Sequence, residues 1–345
     1  MRLQVRTPTR GIREISAFAR DKRRFIFLLD PPGEERTTIL KFIREVIAMS
    51  CKNTIFLFLL VVLVLTSFQV SADEHLEKSA ILIAAFGTSY HEAAVSIENV
   101  VNAAQQAFPE HTVVLSYGSR IIRNILKERD GVIIDSPISA LAKLADEGYT
   151  SVVVQPLQIM SGSEFHEILS ITKAFRTMND PHFQPIFSRI EIGDPLLTSE
   201  VDYEKVVVAL EDDINNYASK DGEVLVLVGH GTEHPANSCY SQLQNMLQKH
   251  YGPKVLVGTI EGYPTIEDVL SHLQSMNAQR VTLKTFMLVA GDHARNDIAG
   301  DEADSWKTVL KKAGYEVQTT LDGLGENDQM VQIWIDHIKN LLPKK

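Results

Sequence analysis

Ala80–Thr88 reads AILIAAFGT, and Val224–Thr232, 144 residues later, reads VLVLVGHGT. Up to its glycine turn each run is uncharged and apolar, where a half-exposed strand would alternate. That marks parallel strands buried on both faces. Each ends in a Gly-Thr turn and leads into a helical pattern, and a second echo joins Gln155–Gly162 (QPLQIMSG) to Lys284–Gly291 (KTFMLVAG). Outward from these anchors, the first half predicts further strands over Val113–Ser116, Val152–Leu157 and Phe187–Ile192. Helices are expected over His91–Phe108, Ser119–Lys127, Ser136–Asp146 and Ser163–Phe175. The second half predicts strands over Lys254–Ile260, Arg280–Leu288 and Glu316–Leu321. Its helices are Tyr203–Tyr217, Ala236–Leu247, Thr265–Met276, Glu302–Ala313 and Asp328–Leu342. The fold class that follows is α/β, with two similar lobes, 73–200 and 201–345. Each is a parallel sheet flanked by helices, and ligands are expected in the cleft between them, at the carboxyl ends of the strands.

The first seventy residues do not share this pattern. Ile55–Leu65 (IFLFLLVVLVL) is eleven apolar residues, short of the roughly 20 that a spanning helix needs. With Met49 and Lys52 before it and Val70-Ser71-Ala72 after it, the segment 49–72 reads as a signal peptide, cleaved before Asp73. Residues 1–48 carry eleven Lys+Arg against six Asp+Glu and show no core-forming periodicity. They read as an upstream extension from a start assigned too early. The expected location is therefore the periplasm, with membrane contact only during export.

The whole chain has 345 residues, 34 Lys+Arg and 44 Asp+Glu, a net charge of −10. Without residues 1–72 the counts are 22 and 38, a net of −16, which argues against nucleic acid as a partner and favours cations. Cys239 is then the one remaining cysteine. It cannot form an internal disulfide, and it reads as a small buried hydrophobe. The sequence sets no oligomeric state, and a homo-oligomer is compatible with it.

The chemistry concentrates in the second lobe. His230 directly follows the strand of VLVLVGHGT, at the position that Phe86 holds in the first lobe. His230-Gly-Thr-Glu-His234 matches an H-x-x-E-H zinc-protease pattern, but that pattern needs a helix. Here Gly231 and Pro235 bracket a strand end, so the protease reading fails. The next strand delivers Glu261 in GTIEGYP, and the one after it His293 in VAGDHARND. Two imidazoles and a carboxylate from three successive strand ends form a borderline donor set for a divalent first-row metal, with positions left open.

At these same residues the chain resembles a known family. VGHGTEHPAN (228–237), TIEGYP (259–264) and FMLVAGDHARNDIAGDEADSWK (286–307) are similar to the anaerobic sirohydrochlorin cobaltochelatases of the class II chelatases, in the ferrochelatase-like superfamily. The likeness runs from about Ser79 to Leu342. It implies insertion of Co²⁺ into the tetrapyrrole sirohydrochlorin for cobalamin, with no organic cofactor. It further implies that His230 is metal ligand and proton acceptor, and that Glu261 and His293 are metal ligands. An export signal departs from the family, whose ring synthesis is expected in the cytoplasm.

Metal insertion removes two pyrrole protons and most of the ion's water, and imidazole, with a pKa of about 6.5, suits both tasks. For the substrate's carboxylates, the candidates lie at the helix starts after Gly87 and Gly162: Thr88, Ser89, Ser161, Gly162 and Ser163. Phe86 and Tyr90 are candidates to pack on the ring. Plain N-capping is an equal reading for Ser89 and Ser163. His166 is a candidate extra haem or tetrapyrrole ligand. Donor type does not separate Co²⁺ from Fe²⁺ or Ni²⁺, so an iron chelatase stands as an alternative. So does an exported metal or tetrapyrrole carrier on the same fold. If 49–72 is a signal, N-terminal sequencing of periplasmic material will begin at or beside Asp73; a full-length cytoplasmic product refutes it.

Overall fold

The computed structural model describes residues 78–343 apart from 181 and 183, together with positions 41 and 44. Those two positions aside, the expected extension and signal peptide lie outside the described residues. Among the described residues no helix is long and apolar enough to cross a membrane.

Strands β1 (Ser79–Ala85), β2 (Thr112–Tyr117), β3 (Ser151–Pro156) and β4 (Arg189–Ile192) form one parallel sheet in the order β2-β1-β3-β4. Strands β5 (Glu223–Gly229), β6 (Val255–Thr259), β7 (Arg280–Thr285) and β8 (Glu316–Thr320) form a second, in the order β6-β5-β7-β8. The two orders are the same, and β1 and β5 hold the same inner place. The likeness of AILIAAFGT and VLVLVGHGT is therefore a repeat in topology. Gly87 and Gly231 even share a left-handed backbone, with φ of 107° and 80°, a conformation that glycine adopts without steric cost.

Ten helices flank these sheets among the described residues. The first lobe carries α1 (His91–Ala107), α2 (Arg120–Asp130), α3 (Pro137–Asp146) and α4 (Ser163–Thr177). Then follow α5 (Glu200–Ala209), α6 (Glu211–Tyr217), α7 (Ser238–Tyr251), α8 (Ile266–Ser275), α9 (Trp306–Lys312) and α10 (Asp328–Leu341). Local chemistry sets their starts. Ser136 accepts a hydrogen bond from the Ser139 N–H, with Pro137 in the first turn. Ser199 with Asp202, and Thr265 with Asp268, close reciprocal capping boxes. The helix expected over Tyr203–Tyr217 starts earlier, at that first capping box, and breaks into two at Leu210. The helix expected from Glu302 begins only at Trp306, because Ser305 accepts from the Thr308 N–H and caps it there.

Side-chain alternation along the strands divides the core into three layers. Ala80, Leu82 and Ala84 face α3 and α4, and Val224, Val226 and Val228 face α8 and α9. The opposite faces, Ile81, Ile83 and Ala85 of β1 and Leu225 and Leu227 of β5, belong to one continuous core with α1, α5, α7 and α10. The last helix, which a boundary at 200/201 would leave wholly in the second lobe, packs on α1 and β3 of the first lobe as well as on α5. Its Trp334 is fully buried in the shared layer. Cys239, also in this layer, is a free thiol whose pKa burial pushes up to about 12. Trp334→Ala is expected to cost about 3–5 kcal/mol, and both lobes should lose stability in one calorimetric transition; a first lobe melting unchanged would contradict a shared core.

Candidate metal centre and cleft

The carboxyl ends of both sheets open onto one cleft of about 760 Å³, within the range of small-molecule sites. The first lobe lines it with Phe86 and the following turn from β1, and with Leu157, Ile159 and Met160 beyond β3. Ile122 and Ile125 of α2 continue that apolar wall. From the second lobe come His230, Gly231 and Thr232 after β5, Glu261 after β6, and the segment from Met287 to His293 after β7. Phe86, at the place His230 takes in the other lobe, is 46% exposed, an unusual state for a large apolar side chain at a strand end.

The second-lobe turns are pinned before they carry any chemistry. Glu261 N–H donates to the His230 carbonyl at 2.7 Å, and Ile260 N–H donates to Gly229 O at 3.1 Å. Asn237 accepts from Thr232 N–H at 3.0 Å and donates to Tyr263 O at 2.6 Å. A Cβ on Gly231 would stand 2.7 Å from Gly262 N, so this glycine lets the two ligand-bearing turns touch.

On this frame the potential ligand atoms of His230, Glu261 and His293 lie within 4.8 Å of one another. His293 Nδ1 donates to Asp297 Oδ2 at 2.6 Å, and His230 Nδ1 donates to its neighbour's carbonyl, Gly231 O, at 2.9 Å. Carbonyl and carboxylate oxygens only accept, so each Nδ1 carries a proton, and in the neutral rings both Nε2 atoms carry lone pairs. Those two Nε2 atoms face each other at 3.1 Å. A shared proton or a metal ion between them satisfies both nitrogens at that distance. An ion bound at about 2.0–2.1 Å from each nitrogen spaces its ligands by about 3–3.4 Å. Glu261 Oε2, 3.8 Å from His230 Nδ1, adds the negative charge. The side chains of His230, Glu261 and His293 are 42%, 57% and 39% exposed, so the position facing the cleft is open to exchange.

The remaining candidates divide. Phe86, Thr88, Ser89, Tyr90, Gly162 and Ser163 all line the cleft. Ser161 does not: Gly162 N–H closes back on Met160 O, which leaves Ser161 at the apex of a tight turn. Neither Ser89 nor Ser163 is an N-cap. Those positions belong to Tyr90 and Gly162, and neither cap bonds through a side chain. His166 also stands outside the lining; its ring lies 5.6 Å from that of His234 in the other lobe. His234 leads into a short 3₁₀ turn, Pro235–Asn237, not the helix that a zinc-protease motif requires.

Two site residues escaped the sequence reading. Asp297 fixes the tautomer of His293 from one helical turn away, and a carboxylate amid several others gave no signal of it. Glu164 lines the cleft from the first lobe. Partial desolvation raises its carboxyl pKa above the ordinary range, and a bond from Gln158 opposes the rise. In sequence it is an acid in a first helical turn, where a helix dipole alone explains it.

Comparison with known proteins identifies the family and the fold. Residues 79–342 match the family "Cobalt chelatase (CbiK)". The sirohydrochlorin cobaltochelatase of Salmonella typhimurium is 35% identical over 268 residues, 77% of this chain and 97% of that protein. The sirohydrochlorin cobaltochelatase CbiKC of Nitratidesulfovibrio vulgaris is 32% identical over 261 residues, 76% and 89% of the two chains. Among solved structures, SirB of Bacillus subtilis with Fe³⁺ shares the fold at a TM-score of 0.53 and 16% identity, covering 76% of this chain and 95% of its own. Removing the carboxylate that orients His293, by Asp297→Ala, should weaken divalent-metal binding about 10–100-fold; titration calorimetry with Co²⁺ reads it, and unchanged affinity would disconnect Asp297 from the centre.

Proposed function

The chain belongs to the cobalt chelatase (CbiK) family, and from that premise we propose that it inserts Co²⁺ into sirohydrochlorin in cobalamin biosynthesis. The observation that carries the reading is the pair of facing imidazole Nε2 atoms, 3.1 Å apart, at the end of an apolar cleft.

In this reading the metal is a substrate. His230, Glu261 and His293 hold Co²⁺ on the second lobe with its open positions toward the cleft, while Phe86, Ile159 and Met160 receive a face of the macrocycle. As bonds form from cobalt to the ring nitrogens, two pyrrole N–H protons leave. His230 accepts one when its Nε2 lets go of the metal. Glu164, held as a weak acid on the facing wall, is placed to accept and pass on a proton. The half-exposed ligands suit a centre that must release its ion, and Glu261 offsets charge without closing the coordination sphere. The export reading of 49–72 extends the proposal to the periplasm.

The decisive measurement follows the absorption spectrum of sirohydrochlorin with purified protein and Co²⁺. Removing the base by His230→Ala is expected to slow chelation about 10²–10⁴-fold, and His293→Ala is expected to act chiefly on metal affinity. Near-normal chelation by His230→Ala would reject its role. Tight tetrapyrrole binding with no metallation by the wild type would favour a carrier.

A further inference from the structure

Helix α1 runs along the second lobe with one polar stripe. Glu92, Ser96 and Asn99, at i, i+4 and i+7, share a face of the helix. Ser96 Oγ donates to Glu326 Oε1 at 3.0 Å, and Asn99 Nδ2 donates to Gly325 O at 3.1 Å. This inner part is sealed: Ser96 is fully buried, and Gly325 leaves no room for a Cβ against the Ser96 backbone. At the cleft end of the same stripe the contacts become exposed and charged. Arg295 Nη2 donates to Glu92 Oε2 at 2.7 Å, and the guanidinium stands 5.1 Å from the Tyr90 ring centroid. Tyr90 Oη donates to Asp292 Oδ1 at 2.8 Å, an oxygen that also accepts from Asn296 Nδ2 at 2.9 Å.

These contacts join the two halves of the proposed reaction. All three metal-side residues belong to the second lobe, and the apolar wall of Phe86, Ile159 and Met160 to the first. The distance from metal to ring is therefore an interlobe distance. Asp292 and Arg295 flank His293 in sequence, while Tyr90 and Glu92 begin the helix that follows the Phe86 turn. Exposed pairs of this kind add little to stability, but four groups with fixed directions restrict geometry. Resting on the chelatase reading, we propose that Tyr90, Glu92, Asp292 and Arg295 form an interlobe clasp. Its members are positioning residues that set the metal centre against the macrocycle wall.

The test compares wild type, Tyr90→Phe/Arg295→Gln and the conservative Arg295→Lys in the full chain. Three readouts apply: the rate of cobalt insertion, Co²⁺ affinity without tetrapyrrole, and an interlobe distance. The distance comes from spin labels at Ser170→Cys and Ser271→Cys, both exposed, in a Cys51→Ser background. The double variant should lose about tenfold or more in kcat and broaden the distance distribution. Its Co²⁺ affinity should stay within about twofold of wild type, since the ligands lie on one lobe. Arg295→Lys should retain most of the rate. An unchanged kcat overturns the clasp, and so does a parallel loss of Co²⁺ affinity, which would place these residues in the metal turn itself. If the wild type never metallates sirohydrochlorin, the chelatase reading fails. The distance distribution then decides the clasp by itself: broadening upholds it, and no change overturns it.

Discussion

Two parallel sheets, each apolar on both faces, must bury four surfaces, and this chain has one shared layer for the inner two. Ile81 and Ile83 from one sheet and Leu225 and Leu227 from the other meet the same helices, with Trp334 of α10 among them. Apolar burial is worth about 25 cal/mol per Å², so neither lobe can expose its inner face cheaply. The lobes are thereby joined along their inner helices. Their strand ends open onto a common cleft, and the cleft is a consequence of that joint.

Within the cleft, labour is divided by lobe. The second lobe supplies donors fixed by backbone contacts, such as Glu261 N–H to the His230 carbonyl. The first supplies an apolar wall and a single acid, Glu164. A repeated unit has thus diverged at equivalent strand ends: Phe86 in one copy, His230 in the other. The same glycine turn follows both, because each strand must stop sharply to present its side chain above the sheet.

In the proposed reading, the opposed Nε2 atoms of His230 and His293 and their exposure suit a centre that holds an ion and still releases it. Both imidazoles are oriented by bonds at Nδ1, one to a backbone carbonyl and one to Asp297, so Nε2 is the free donor on each ring. The exposed carboxylate of Glu261 supplies charge without enclosing the site. The cleft wall facing them is apolar and suits a flat ring.

Much of this was legible in the chain itself. Uninterrupted apolar runs with glycine turns determined the parallel strands and the two-fold repeat, because burial on both faces leaves no polar position. His230, Glu261 and His293 could be singled out because each lies in the turn that follows a strand, and the strand ends of one sheet share an edge. Other features required the tertiary structure. Ser305 delays a helix that the pattern starts at Glu302, because one hydroxyl outweighs propensity at a terminus. The crossing of α10 depends on which buried face it meets, and apolar periodicity says only that a face exists. Asp297, Glu164 and the pairing of Arg295 with Glu92, 203 residues apart in sequence, take their meaning from neighbours far along the chain. A charged side chain looks the same in sequence whether it faces solvent, an imidazole or the opposite lobe.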